Sequence, residues 1–493
     1  MSKKVLIIGT GLGALATALR LSSKGYSVEM VEKYHRAGGR LNQLEKDGFT
    51  FDMGPSFFSM SYEFEELFRS CNIPNPLQLE ALDPVYSVRF ANRKKPILIY
   101  KDLQKLAEEF LGIEADFEVK MKAYLLAAKK MFHDTEDIVI RKNFNSRIDY
   151  LLKLTRVPLR HSPKMFRSMW KELSNTFQSE EARVIFSLVA FFLGSTPFHT
   201  PAVYSLLTYT ELEHDGYWNV KGGMYRIVEE LQRLNTERGV KFHFNTEITS
   251  VQTTGGEINS FVDSNGKIWT ADIYISNSDA AAFRGKVLKR ENFSDKKLDA
   301  MEWTLAPFTI YLGVKGKIPL LSHHNYFLGS NFKEYAETIF KTSVSPEKPY
   351  YYVNVSSKSN PECAPEGCEN IFILCPVPDL RHKPDWSDSN NFANTILQDL
   401  SNRIDIDLDK VTLTKTILTP LDWQNQFNLY QGSGLGLAHG LNQVGAWRPS
   451  NKDEKFKNLF YVGASTTPGT GLPMVVISSK LVMERIEKDY GSL

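Results

Sequence analysis

The chain opens on a short, unbroken apolar run, Lys4–Ile8 (KVLII), the β-branched composition of a parallel strand buried on both faces. Gly9, Gly11 and Gly13-Ala14 follow, then apolar positions at helical spacing (Leu15, Ala16, Ala18, Leu19), then a second strand ending at Glu32. From about residue 61 to 210, Leu, Phe, Tyr and Met recur at intervals of three and four, which predicts mainly helix. The pattern changes at Gly216. Gly222-Gly223-Met224 precedes an amphipathic helix carried by Ile227, Val228, Leu231 and Leu234, and β-type runs follow at 240–244, 246–251, 258–262 and 271–276. Runs at 303–313, 350–355 and 371–375 suit a second sheet, with a helix over 392–404. The last run, 459–462, is a strand that enters a glycine-rich loop and a helix over 474–486.

This order predicts an α/β protein: a discontinuous Rossmann-like nucleotide domain from 1–75, 216–300 and 430–493, and an inserted α+β substrate domain from 76–215 and 301–429. The first βαβ unit carries G-x-G-x-x-A in its strand-to-helix turn, the dinucleotide-binding fingerprint. Gly9 permits the tight turn, Gly11 a close approach to a pyrophosphate, and Ala14 close packing of helix on strand. The helix N-terminus presents free N–H groups to the phosphates. Glu32 stands where a carboxylate accepts hydrogen bonds from an adenosine ribose, which disfavours a 2′-phosphate and so NADP.

Gly38-Gly39-Arg40 comes just after the second strand, where NAD domains do not usually carry such an element. It offers a backbone crossing and a fixed cation for the pyrophosphate. A second strand, glycine loop and helix N-terminus closes the chain, at Gly463-Ala464 and Gly471-Leu472-Pro473. Two such elements at opposite ends imply one long ligand clasped by both, which makes FAD the expected cofactor. Gly54-Pro55-Ser56, in a turn after the strand 49–53, is a further candidate contact, and Leu12, Gly13, Lys33 and Ile248 complete the expected cofactor set.

Composition narrows this little. Of 493 residues, 42% are hydrophobic and 24% charged, and the net charge of +2 gives no case for nucleic acid. Cys71, Cys363, Cys368 and Cys375 lack a zinc spacing, so free thiols in a reducing, cytoplasmic setting are expected. No secretory signal is read, because the first apolar run serves as the Rossmann strand. His323-His324 has no companion ligand set, and no metal site is expected. The apolar run 184–193 is too short to span a bilayer and reads as buried helix. Residues 147–171 hold seven basic residues and one acid among Leu, Val, Met, Phe and Trp. Arg156, Arg160, Lys164 and Arg167 there suit an anionic membrane surface, though a charged helical face over ordinary core residues would read the same way.

The motifs together resemble the FAD-dependent phytoene-desaturase-type carotenoid oxidoreductases over nearly the whole chain. The resemblance rests on G-T-G-L-G-A at 9–14, Glu32, G-G-R at 38–40, D-M-G-P-S at 52–56, K-G-G-M at 221–224 and A-D at 271–272. It continues through H-H-N at 323–325, A-P-E-G-C at 364–368, W-R-P at 447–449 and G-A-S-T-T-P-G-T-G-L-P at 463–473. It implies an amine-oxidase-like fold, an apolar carotenoid substrate, peripheral attachment to the inner face of the cell membrane, and hydride transfer from the polyene to the flavin. Oxygen and a quinone both stay open as electron acceptor, and no catalytic base can be named. Two positions depart from the pattern: Thr467 stands where the family usually has His, and Met474 where it usually has Gly. Both are candidates for substrate selectivity, and they turn the expectation toward a later-acting desaturase similar to the hydroxycarotenoid 3,4-desaturases, with phytoene as the simpler alternative. Other FAD oxidoreductases (retinol-saturase-like enzymes, amine oxidases) and the prenyl-binding Rab GDP-dissociation inhibitors share parts of the pattern.

Overall fold

The computed structural model describes residues 3–491. Its first layer is a parallel five-stranded sheet in the order Leu459–Tyr461, Ile273–Ser276, Lys4–Ile8, Ser27–Val31, Lys241–His243. Strands from both ends and the middle of the chain therefore lie side by side. The opening strand is buried on both faces, under helices on the side of Val5 and Ile7 and under the small antiparallel sheet on the side of Leu6 and Ile8. Val5 and Ile7 share one apolar core with Leu15 and Leu19 of helix Leu12–Ser23, Ile227 and Leu231 of helix Arg226–Glu237, and Val476 and Val482 of helix Leu472–Tyr490. A small antiparallel sheet, Ile248–Thr254, Glu257–Asp263 and Ile268–Trp269, sits beside it.

The second large sheet has seven strands, with Ala306–Lys315, Cys368–Val377, Tyr351–Asn354 and His324–Leu328 at its centre. Its edge adds short strands within 61–210, a stretch that is mainly helix as the pattern predicts. Tyr86–Phe90 pairs parallel to His324–Leu328 and antiparallel to Ile97–Ile99, and Leu79–Ala81 pairs with Trp218–Val220. Every residue of Tyr86–Phe90 is buried, so the strand shows no polar alternation that would set it apart from its helical surroundings. Thr412–Leu418, Asn42–Lys46 and His324–Leu328 are likewise strands that the pattern does not announce.

Residues 147–171 form short helices, Arg147–Leu154, Ser162–Phe166 and the start of Met169–Thr176. Ser146 and Ser168 cap the first and third by accepting the N–H of Asp149 and Lys171. The run 184–193 is split between Glu180–Ile185 and Val189–Phe192 and is largely buried. All four cysteines are free and buried. Among the described residues, no helix is long and apolar enough to cross a membrane.

Candidate active site

The carboxyl ends of the central parallel strands converge, and there the three loops that follow Lys4–Ile8, Ile273–Ser276 and Leu459–Tyr461 meet on Asn277. Its Nδ2 donates to Val462 O at 2.9 Å. A Cβ on Gly11 would lie 2.5 Å from Asn277 Oδ1, and one on Gly463 would lie 2.4 Å from Asn277 Nδ2. Those glycines are required because an amide side chain fills the space their side chains would take. The double glycine joins the same junction: Gly38 N donates to Thr10 O at 3.0 Å. Glu32, at the end of the second strand, accepts from Thr10 N (2.8 Å) and Thr10 Oγ1 (2.7 Å) through Oε2, and from Tyr34 N (3.1 Å) through Oε1.

These elements enclose a cavity of about 1110 Å³, at the upper end of the size of small-molecule sites. Gly9, Gly11, Leu12, Gly13, Glu32 and Lys33 line it, as do Gly39, Arg40, Gly54, Pro55, Ser56 and Ile248. From the other end of the chain, Gly463, Ala464, Thr467, Gly471, Leu472, Pro473 and Met474 line it too. Ala14 stands behind the wall, fully buried in the first helix. Lys33 forms an ion pair with Glu247 at 3.2 Å. Helices Leu12–Ser23 and Leu472–Tyr490 both start at this cavity, on Gly11 and Gly471, with no side-chain cap and no acid in the first turn. Their first N–H groups are free to meet a ligand carrying negative charge or carbonyl oxygens. A long dinucleotide fits this donor set, because the two helix ends, Glu32 and Arg40 belong to one continuous wall.

Three further groups, given no role from the sequence, shape that wall together with the expected Arg40. Arg40 donates to Gly434 O at 3.0 Å; burial holds its pKa below the ordinary range, with Asp279 opposing the shift. Asp279 is itself raised by burial, against the pull of Arg40, and accepts from Ala281 N (2.9 Å) and Ser465 Oγ (3.2 Å). His439 is pushed well below the usual imidazole range by burial and by Arg448, so the neutral ring accepts Thr470 N at Nε2 (3.1 Å). Arg448, of the W-R-P motif, is buried and donates to the carbonyls of Ala464 (2.7 Å) and Thr466 (3.2 Å) on the last glycine loop. Polar residues just past a parallel strand were the available signal for Asn277 and Asp279, since ligands bind at that end of such sheets. The motifs D-M-G-P-S and K-G-G-M also meet: Asp52 Oδ1 accepts Met224 N at 2.8 Å. Burial pushes the Asp52 carboxyl up to about 6.

Away from the glycine loops the cavity runs on as an apolar arm between Phe132, Leu154, Val157, Met165, Phe191 and Leu206. Leu154, Val157, Leu159 and Met165 belong to the basic segment 147–171, so that segment forms part of the cavity wall. Its outer side carries Leu159 and Phe166, 86% and 89% exposed, with exposed Ile148, Leu151 and Leu152. Such an apolar patch is uncommon on a protein surrounded by water. The cations differ from the expectation. Arg160 pairs with Asp134, and Lys164 and Arg167 with Glu172, whereas Arg156 is exposed and in no ion pair among the described residues. His323 and His324 are committed to Ser359 Oγ (2.8 Å) and the Tyr352 hydroxyl (2.6 Å), and no metal-holding group of His, Cys, Asp and Glu occurs among the described residues. The selectivity candidates both line the cavity, but the Thr467 hydroxyl points at Pro449 O, 3.5 Å away, a contact at the limit of a hydrogen bond.

The family described as flavin containing amine oxidoreductase matches residues 15–486. The zeta-carotene-forming phytoene desaturase of Myxococcus xanthus is 34% identical, over 98% of this chain and 94% of that protein. The 4,4'-diapolycopene oxygenase of Methylomonas sp is 32% identical, over 99% of each chain. Among solved structures, an oxidoreductase from Methanosarcina mazei superposes with a TM-score of 0.63 at 19% identity, covering 98% of this chain and 100% of that one, which is a likeness of fold.

Proposed function

The chain belongs to the flavin containing amine oxidoreductases, and within them to the carotenoid desaturases of the phytoene desaturase type; it is an FAD-dependent oxidoreductase, and we propose that it inserts a double bond into a carotenoid. The observation that carries this reading is the continuity of the dinucleotide cradle with a long apolar arm. FAD, when bound, supplies hydride acceptance. The residues proposed to hold it are Gly9, Gly11, Leu12, Gly13 and Ala14 with Glu32 and Lys33, then Gly39, Arg40, Gly54, Pro55, Ser56 and Ile248. Gly463, Ala464, Gly471, Leu472 and Pro473 complete the set. The chain's own work is to hold a polyene in the apolar arm, to keep water from it, and to present helix N–H groups where negative charge develops. We also propose the division into a cofactor domain (1–75, 216–300, 430–493) and a substrate domain (76–215, 301–429).

The finer reading is 3,4-desaturation of a hydroxylated carotene; phytoene is the second reading, favoured by the 34% identity with a phytoene desaturase. Expression in hosts that accumulate phytoene, monocyclic carotenes or 1-hydroxylated acyclic carotenes decides between them. A new, longer-wavelength product confined to the hydroxylated host supports the first reading, and one in the phytoene host supports the second. Thr467 and Met474 bear on the same choice. Met adapts to irregular apolar walls, so Thr467→His with Met474→Gly is expected to shift the product ratio by roughly 10–200-fold, the scale of a small change in an apolar pocket. Retained flavin with an unchanged ratio removes both positions from substrate choice.

We further propose that the segment 147–171 docks on an anionic membrane at the cytoplasmic face, so that an insoluble substrate reaches the arm from the bilayer. The exposed Leu159 and Phe166, in the same segment as Arg156, which is exposed and in no ion pair among the described residues, support this. Each buried apolar side chain is worth about 1.5–3 kcal/mol, and each basic residue near the surface about 1 kcal/mol. Leu159→Ser with Phe166→Ser is therefore expected to weaken partition onto phosphatidylglycerol vesicles by roughly 100-fold or more. Equal co-sedimentation of both forms sinks the docking face.

A further inference from the structure

One carboxyl group on the cavity wall is used neither by the cofactor cradle nor by the docking segment. Glu211 lies in Thr210–His214, where the helical run widens into a π-turn, a form that recurs at functional sites. Glu211 lines the same cavity as the glycine loops and the apolar residues. Tyr217, on the same stretch of wall, packs its ring on Phe57 at 4.8 Å, and Phe57 directly follows Ser56 of the cofactor turn.

The titratable groups facing Glu211 are phenols. The Tyr86 hydroxyl faces the carboxylate and favours its ionised form, and Tyr124, Tyr217 and Tyr326 stand nearby. The charged neighbours on its own turn are engaged elsewhere. Glu213 pairs with Lys129 at 2.8 Å, Asp215 accepts Ser61 N and Ser61 Oγ, Lys101 Nζ donates to Asp215 O, and His214 stacks on Tyr209. No Lys, Arg or His forms an ion pair with Glu211 among the described residues. A carboxylate left without a cation in an apolar cavity is costly, and such a group in a cleft marks a functional residue.

We propose that Glu211 is the catalytic base of the desaturation. This rests on the carotenoid-desaturase reading above. Forming the double bond removes a hydride from one carbon and a proton from its neighbour. The hydride carries two electrons to the oxidant, the oxidised FAD; the proton passes to the Glu211 carboxylate, which becomes the acid; the electron pair of the second C–H bond becomes the π bond. Burial pushes the Glu211 carboxyl up to about 7, where a base can both accept and later release a proton at ordinary pH. Only the ionised form accepts, so the rate rises as pH climbs through that range.

The test uses the flavin-loaded full chain with whichever of the three host carotenoids the wild type converts, supplied in phosphatidylglycerol vesicles. Glu211→Gln is expected to keep its flavin and its carotenoid binding, read as quenching of flavin fluorescence. Anaerobic flavin bleaching should slow roughly 10²–10⁴-fold. Glu211→Asp should recover part of the rate with a displaced pH profile. Independently of turnover, the infrared carboxylic C=O band that grows in the wild type as pH falls through about 7 should lose that component in the Gln variant, leaving the Asp52 carboxyl to appear lower, at about 6. A Gln variant that bleaches at the wild-type rate, or that loses only its preference for the hydroxylated carotenoid, overturns the assignment. A wild type that converts none of the three fails the desaturase reading itself and takes the base with it, and the two failures are told apart by the wild-type lane.

Discussion

Arg448→Leu is expected to yield a protein without flavin and destabilised by at least about 4 kcal/mol. Arg448 is 3% exposed and bonds no carboxylate among the described residues; its donors go to backbone carbonyls of Leu437, Ala438, Gln443, Ala464 and Thr466. Its planar fork thus ties the segment 437–443 to the last glycine loop in a way that no shorter cation can copy. Hydrogen bonds from a charged donor contribute about 1.5–3 kcal/mol each, and domains are stable by about 5–15 kcal/mol in all. Ala438 O keeps a second donor, Gln443 Nε2 at 3.2 Å, while the carbonyls of Ala464 and Thr466 lose theirs beside the cavity. The loss is therefore felt first where the cofactor lies. Arg448→Lys should fall between, with one or two bonds restored. Thermal unfolding and the flavin-to-protein absorbance ratio check this. A Leu variant that keeps full flavin and wild-type stability would show that the loop holds its shape without the arginine.

How much of this was legible follows from what makes a local signal. The opening βαβ unit announced itself because Lys4–Ile8, the glycines and Glu32 are contiguous in sequence and each has a local reason to be where it is. The same holds for the last strand, loop and helix. FAD followed from two such cradles in one chain, and the family comparison agrees. Tyr86–Phe90 was lost because a short, wholly buried strand carries no period of two, and Ile97–Ile99 because three residues are too few to show one. Asn277, Arg448 and Glu211 were lost for different reasons. Asn277 reaches glycines at both ends of the chain, Glu211 faces a cavity that exists only once the two sheets are assembled, and Arg448 bonds carbonyls of irregular loops, which carry no period. The basic segment was legible as chemistry but not as pairing. Seven cations against one acid looked unbalanced within 147–171, yet Asp134, outside it, takes Arg160, and Glu172, one residue beyond it, takes Lys164 and Arg167. What is left for a membrane is mainly the exposed apolar side chains, which a count of charges does not reveal.

Gly463→Ala is expected to abolish flavin retention, and a second substitution at Asn277 is expected to restore the fold. The backbone at Gly463 has φ of 107°, outside the regions open to L side chains, a strain of about 1–3 kcal/mol. The new Cβ would also stand 2.4 Å from Asn277 Nδ2, far inside contact distance. Asn277 has little room to retreat. Its Oδ1 lies 2.5 Å from where a Gly11 Cβ would be, its Nδ2 lies 3.1 Å from the corresponding Gly13 position, and the same Nδ2 is bound to Val462 O. The collision therefore spreads to the loops at both ends of the chain, and with it the alignment of the helix N-termini on Gly11 and Gly471. The single variant should fold poorly and purify colourless. In Gly463→Ala with Asn277→Ala the clash is gone and the φ strain stays, so the double variant should regain most of the stability lost. It should bind flavin weakly, because the amide that joins the loops is missing. A double-mutant cycle in thermal stability would then give a coupling of about 1–3 kcal/mol, the range for residues in direct contact. Strict additivity of the two substitutions would mean that Asn277 does not couple the loops, and that each glycine is there for its own backbone alone.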